Sequence, residues 1–160
     1  MPIDPIRPTD AEAISLAKSL ITTASFGALG VLHPETQTPL VTRIAVGTDL
    51  TGTPLTLISD LSAHTKALRN TPVCGLLLGE PGPKGDPLTH PRLSIQATAS
   101  FLSRDDPDFP KTRAVYLKSH PKSKLYIDFA DFHFVKLTIT SAALNGGFGK
   151  AYTLTAQDLA

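Results

Sequence analysis

Tryptophan is absent from this chain of 160 residues, and cysteine and methionine occur once each. A lone cysteine, Cys74, rules out an intrachain disulfide and any cysteine-rich zinc site. It lies in the apolar run Val73–Leu78, where a small buried hydrophobe is the expected role. No apolar stretch approaches the roughly 18 residues that a membrane-spanning helix needs. Charge of one sign is also missing. Fifteen Lys and Arg against fourteen Asp and Glu leave a formal net charge of +1. No global field draws the protein to nucleic acid or to an anionic membrane, so any anion must be held by a local cluster. The opening residues, rich in proline and acids, do not make a secretory signal, and the expectation is a cytoplasmic protein.

What is present is ordinary for a globular protein: 41% hydrophobic and 18% charged residues. The length suits one domain, here 1–160, with residues 1–8 as an N-terminal arm held extended by Pro2, Pro5 and Pro8. Thr9 and Glu12 have capping-box spacing and predict a helix over about Asp10–Thr22, with Ile14, Ala17 and Ile21 on one face. Phe26–His33, Leu40–Thr48 and Pro54–Ser59 read as strands joined by short polar turns, hence antiparallel hairpins. Ser62 as N-cap and Pro72 as stop bracket a short helix over Ala63–Asn70. Val73–Gly79 and Arg92–Ser103 read as strands. The Gly/Pro-rich loop Glu80–Pro91 between them is long enough to suggest a functional segment. Residues 107–128 read as a helix and a shorter one, broken at Pro121. Phe132–Leu144 is a last long strand, closed by a tight glycine turn at 145–149. Six short strands with few intervening helices favour a mainly β fold, an antiparallel barrel with flanking helices.

The densest chemistry lies where a strand meets a helix. Ser59, Ser62, His64, Thr65 and Lys66 gather hydroxyls and cations around free backbone N–H groups, an arrangement suited to phosphate. Alternation puts Thr42, Ile44 and Val46 on one strand face and Val41, Arg43 and Ala45 on the other. An arginine on a mostly apolar face needs a partner, and the same anion would provide one. Gly146–Ala151 lacks P-loop spacing, and Gly27 and Gly30 lie inside an apolar strand, so neither marks a nucleotide fold. The five histidines, His33, His64, His90, His120 and His133, form no i, i+4 pair and have no carboxylate cluster at metal spacing. No nucleophile elbow appears. Anion binding with little acid–base machinery is the pattern of a protein whose cofactor carries the reaction.

Two segments carry a family resemblance. Thr42-Arg43-Ile44-Ala45 and the run from Leu57 to Pro72 resemble the core of the pyridoxamine-5′-phosphate oxidase-like FMN-binding split barrels, and more narrowly their haem-utilisation branch. Gly85-Asp86-Pro87-Leu88, Pro91-Arg92-Leu93, Tyr116-Leu117, His120-Pro121, Asp131-Phe132 and Gly146–Ala151 are similar as well, so the likeness runs from about Ala13 to Ala151. It implies a six-stranded split barrel and a homodimer with the cofactor at the subunit interface. By position, Arg43, Ile44 and Ala45 line the flavin, and Ser59 meets the ring or its tail. His64, Thr65 and Lys66 hold the phosphate, Gln96 reaches in from the other subunit, and Arg92 adds charge nearby. The implied function is an FMN-dependent oxidoreductase acting on a small molecule. The alternative is a non-catalytic carrier of haem or flavin. A further C-terminal domain found in longer relatives is expected to be missing. No histidine follows His133, so the C-terminal iron ligand of haem-degrading relatives is not evident.

Overall fold

The computed structural model describes residues 4–147 and 149–160. The first long element is α1 (Ala11–Thr23), which buries Ala13, Ala17 and Ile21 at four-residue spacing. Ile14, Leu16 and Leu20 pack beside that stripe rather than forming it. Its N-cap is Asp10, whose carboxylate accepts from Ala13 N at 2.8 Å. This corrects the capping box at Thr9, whose hydroxyl instead donates to the Thr153 carbonyl at 2.8 Å. A tertiary partner competed for the hydroxyl, and the next residue took the cap.

The strands are β1 (Ile6–Arg7), β2 (Phe26–Leu32), β3 (Pro39–Ala45), β4 (Gly47–Thr48), β5 (Pro54–Ser59), β6 (Val73–Leu78), β7 (Arg92–Phe101), β8 (Phe132–Asn145) and β9 (Ala151–Thr155). Between them stand α2 (Ala63–Asn70), α3 (Phe109–Ser119) and two 3₁₀ turns, Pro87–Thr89 and Pro121–Leu125. The sheet runs β1-β9-β8-β7-β6-β2-β3, with β5 paired to both β4 and β8. Only Val46 parts β3 from β4, so the pair acts as one bent strand. The path β2, β3–β4, β5, β8, β7, β6 then returns to β2. This ring holds the six strands expected of the barrel. It is weakest where β4 meets β5 through the pairs Gly47↔Leu55 and Thr48↔Pro54.

Two strands lie outside the expectation. β9 pairs antiparallel with the outer half of β8, and β1 adds in parallel to β9, so the sheet is mixed rather than purely antiparallel. Ile6 and Arg7 thus lie within the segment expected to be an arm. Gly147 (φ +129) and Gly149 (φ +70) supply the left-handed turn that sends β8 back as β9. Phe148, within the expected glycine turn, falls outside the described residues.

The main core fills the ring and is closed by α1, with Leu29, Leu93, Val135, Leu137 and Leu154 fully buried. A second cluster of Leu55, Leu57, Tyr116, Ile127 and Phe134 lies under α3. β5 is therefore covered on both sides, which explains its nearly unbroken apolar run. Its one inward hydroxyl, on Thr56, donates to the Ala45 carbonyl at 2.7 Å. The turn before β5 is wound around Asp49, which accepts from Thr51 N, Thr51 Oγ1 and Thr53 N and pairs with Lys136. No helix of the described residues is long and apolar enough to cross a membrane.

Candidate functional site

The predicted alternation on β3 holds. Ile44 and Val46 are buried and Thr42 is half-buried, while Val41 and Arg43 face outward. The partner that Arg43 needed is aromatic: its guanidinium lies over the Phe26 ring, 5.5 Å from the centroid. Ala45 is half-buried beside it in the register pair Phe26↔Ala45.

Across the barrel mouth, α2 begins after Ser62, whose side chain makes no capping bond. His64 Nδ1 lies 3.0 Å from Thr42 Oγ1, joining α2 to β3. Partial burial lowers the His64 pKa below its ordinary value, so the ring is neutral at neutral pH. Thr65 is fully buried, and its Oγ1 is the one buried side-chain polar atom without a partner among the described residues. Lys66 is exposed.

The remaining expected site residues are committed elsewhere. Ser59 Oγ donates to Asp131 Oδ2 at 2.9 Å and accepts from Leu61 N. Gln96 sits on the outer face of β7 at a bulge, its Oε1 accepting from Ser141 Oγ at 3.0 Å. Arg92 donates to the Leu88 carbonyl at 3.0 Å, at the base of the 80–91 loop. That loop is wired through His90, which accepts from Gly82 N and donates to the Lys84 carbonyl. Within one chain, then, β3 and α2 meet directly, whereas Gln96 and Arg92 belong to other parts of the outer surface.

Sequence reasoning missed the trough on the outside of β3, β2, β6 and β7. One end is a crevice of about 340 Å³ lined by Phe26, Ala28, Thr42, Arg43 and Leu77 among others. The other is a groove of about 510 Å³ lined by Gly30, Val73, Gly75, Gln96, Thr98 and Thr140 among others. Both lie along β2. Gly30 and Gly75 are register partners, so bare backbone forms the floor where they meet. A Cβ on Gly30 would meet only the Gly75 carbonyl oxygen, at 3.9 Å, and one on Gly75 only the Ile95 carbonyl oxygen, at 3.6 Å. Side chains at these positions would fill the trough without disturbing the sheet. Val41, Val73 and Leu77 expose apolar surface around it, at 68%, 55% and 44%. The clue in the sequence was the pair of glycines inside strands that are otherwise apolar.

A second feature escaped the sequence reading. Asp60 binds both Arg69 (3.2 Å) and His133 (2.9 Å), and Arg69 stacks over Phe101 at 4.1 Å. The His133 hydrogen bond, followed by that of Arg69, holds the Asp60 carboxyl below its usual range. The three residues are too far apart in sequence for this network to be legible there. Among the described residues no three His, Cys, Asp or Glu side chains gather as a metal cluster.

Comparison with known proteins agrees with this architecture. The chain is 33% identical over 89 residues to a non-canonical haem oxygenase, HOZ, of the Arabidopsis thaliana chloroplast, a match covering 56% of this chain and 26% of that protein. A haem-binding protein from Mycobacterium smegmatis superposes with a TM-score of 0.83 at 25% identity, over 96% of this chain and 61% of that one. The chain thus spans less than two thirds of either relative, and about a quarter of the plant one. A Clostridium acetobutylicum protein described as belonging to the pyridoxinephosphate oxidase family shares the fold, with a TM-score of 0.70 at 13% identity over 95% and 100% of the two chains. The split barrel read from the sequence is therefore the fold of this protein, and its neighbours include haem-binding members. The model of the CREG beta-barrel family matches residues 8–159, and the chain belongs to that family.

Proposed function

We propose that this protein binds haem in the trough outside β3, β2, β6 and β7, and does so as a homodimer. The observation that carries this reading is the glycine floor at Gly30 and Gly75, flanked by exposed Val41, Val73 and Leu77 and bounded at one end by Arg43. A flat apolar floor suits a planar macrocycle, and a guanidinium at one end suits its carboxylates. The haem-related descriptions of the plant and mycobacterial relatives point the same way. The exposed apolar residues around the trough favour a second copy covering it, with an isologous contact that places the ligand between subunits. Bound haem supplies an iron centre for ligand or electron exchange. The chain's own residues give apolar walls, a cation for the propionates and exclusion of water. The test is haemin titration with sedimentation analysis. A saturable Soret shift, one haem per subunit, on a dimeric protein is expected. A colourless protein that stays monomeric with haemin present would overturn the reading.

A second reading, FMN, rests on one observation: the orphaned Thr65 hydroxyl in the first turn of α2, with Lys66 exposed beside it. A phosphate there would gain a hydroxyl, helix N–H groups and a cation. Arg43, Ile44 and Ala45 would line the ring, with Gln96 from the second subunit. FMN would supply hydride chemistry for a small-molecule substrate. Ser59, held by Asp131, and Gln96, held by Ser141, would have to exchange partners, which makes this the weaker fit. Flavin absorbance that survives desalting and bleaches with a nicotinamide donor would favour it over haem.

A further inference from the structure

We propose that the groove where the C-terminal end of α2 meets the end of β7 and the start of β8 binds a small phosphate monoester with an apolar body, its phosphate held between Arg69 and Arg104. The groove measures about 480 Å³, and Arg69, Phe101, Leu102, Ser103, Arg104 and Ala130 are among the residues that line it. It shares no lining residue with the trough, so it stands apart from the haem reading.

The charge of this lining is one-sided: it holds two arginines and no Asp or Glu. Of the acids close by in sequence, Asp128 binds Arg113, Asp131 accepts from the Ser59 hydroxyl, and Asp106 accepts from Asp108 N. Both guanidinium groups are already anchored. Arg69 donates through Nη2 to Asp60 Oδ1 at 3.2 Å and lies over the Phe101 ring, 4.1 Å from its centroid. Arg104 donates through Nη2 to the Phe129 carbonyl at 2.6 Å and the Phe132 carbonyl at 3.1 Å, and lies 5.6 Å from the Phe109 centroid. In each, Nε and Nη1 have no partner among the described residues. An arginine held by one nitrogen and an aromatic face gives up less freedom when an anion takes the remaining nitrogens.

The donors suit phosphate. Ser103 Oγ accepts from Asp105 N at 3.2 Å, which leaves its own O–H to donate. Two guanidinium groups and a hydroxyl match the three terminal oxygens of a phosphate monoester, whereas a carboxylate offers two. Phe101, Leu102 and Ala130 add an apolar wall. His133 joins that wall, its Nε2 engaged by Asp60 Oδ2 at 2.9 Å. A groove of this size lies in the small-molecule range and exceeds what a bare phosphate ion fills, so the ligand has an organic body.

The test is calorimetric titration of the full chain with phenyl phosphate, inorganic phosphate and benzoate. Phenyl phosphate should bind once per chain and more tightly than either other probe. Arg69→Gln and Arg104→Gln should each weaken it about 10-fold or more, the worth of a charge-assisted hydrogen bond. Lys66→Gln, which changes an exposed cation outside the groove, should leave it unchanged. Circular dichroism checks the folding of each variant. Should Arg104→Gln fail to fold, because it frees two backbone carbonyls, Arg69→Gln carries the test alone. Binding that survives Arg69→Gln but falls with Lys66→Gln would move the anion to the start of α2 and overturn the proposal. So would a wild type that takes up no phenyl phosphate, and benzoate binding as tightly as phenyl phosphate would overturn the assignment to phosphate.

Discussion

The Thr42 hydroxyl and the His64 ring, 22 residues apart in sequence, meet at 3.0 Å and tie strand β3 to the start of helix α2. The contact couples the β3–α2 junction to pH. Burial lowers the folded-state pKa of His64 below its ordinary 6.5. The unfolded chain therefore takes up this proton first as the pH falls. Stability is complete above about 6.5 and declines below it, as the unfolded state gains protons that the folded state refuses. Urea midpoints taken at about pH 8 and about pH 5 should show this loss, and His64→Gln should flatten it. Thr42→Val should cost about 0.5–1.5 kcal/mol at neutral pH, the worth of one hydrogen bond.

Glycines on the paired strands β2 and β6 predict opposite outcomes for substitution. At Gly27 an added Cβ would lie 2.8 Å from Leu78 Cδ2 and 2.9 Å from the Leu77 carbonyl oxygen. Gly27→Ala should destabilise by about 1–3 kcal/mol through overpacking. At Gly75 the added side chain would stand in the trough. Gly75→Leu should keep stability within about 1 kcal/mol of wild type yet abolish haemin binding. Chemical denaturation and haemin titration on the same samples check both.

The Thr65 hydroxyl is buried and unpartnered, and such a group costs free energy rather than supplying it. Thr65→Val should be neutral or stabilising by up to about 1 kcal/mol by thermal or urea unfolding. The same variant should weaken FMN if phosphate binds at α2 and leave haemin affinity unchanged, so one substitution reads both ligands.

Asp49 is 8% exposed and serves three donors from Thr51 and Thr53 besides Lys136. Burial alone would raise its pKa, but these hydrogen bonds outweigh it and the carboxyl ends below its ordinary 3.8. Its contribution is therefore full above that value and is lost as the pH falls through the lower folded-state pKa. Asp49→Ala should cost about 1–3 kcal/mol by leaving those donors unpaired, and its acid unfolding should begin at higher pH than that of wild type.

Much of this protein was determined by local sequence. Ser62 and Pro72 bracket α2, Asp49–Gly52 turns β4 into β5, and the apolar runs of β2, β5 and β6 are strands because they are short and punctuated by turn residues. The same reasoning stopped where partners are distant. Whether Thr9 or Asp10 caps α1 depended on the Thr153 carbonyl, which only the packing of β9 brings near. β9 itself carries a clear alternation, Tyr152 and Leu154 inward, but sits behind a glycine turn that reads as a chain end. Arg43 was expected to face an anion and found the Phe26 ring, across a strand pair whose register no local rule sets. The five histidines were equivalent as sequence. The folded chain distinguishes them, because a hydrogen bond is decided by which groups meet: Nε2 of His90, His120 and His133 each meets a partner, whereas His33 and His64 are bonded through Nδ1. The family's barrel was legible from residue type and spacing. The trough exists only once the strands have closed.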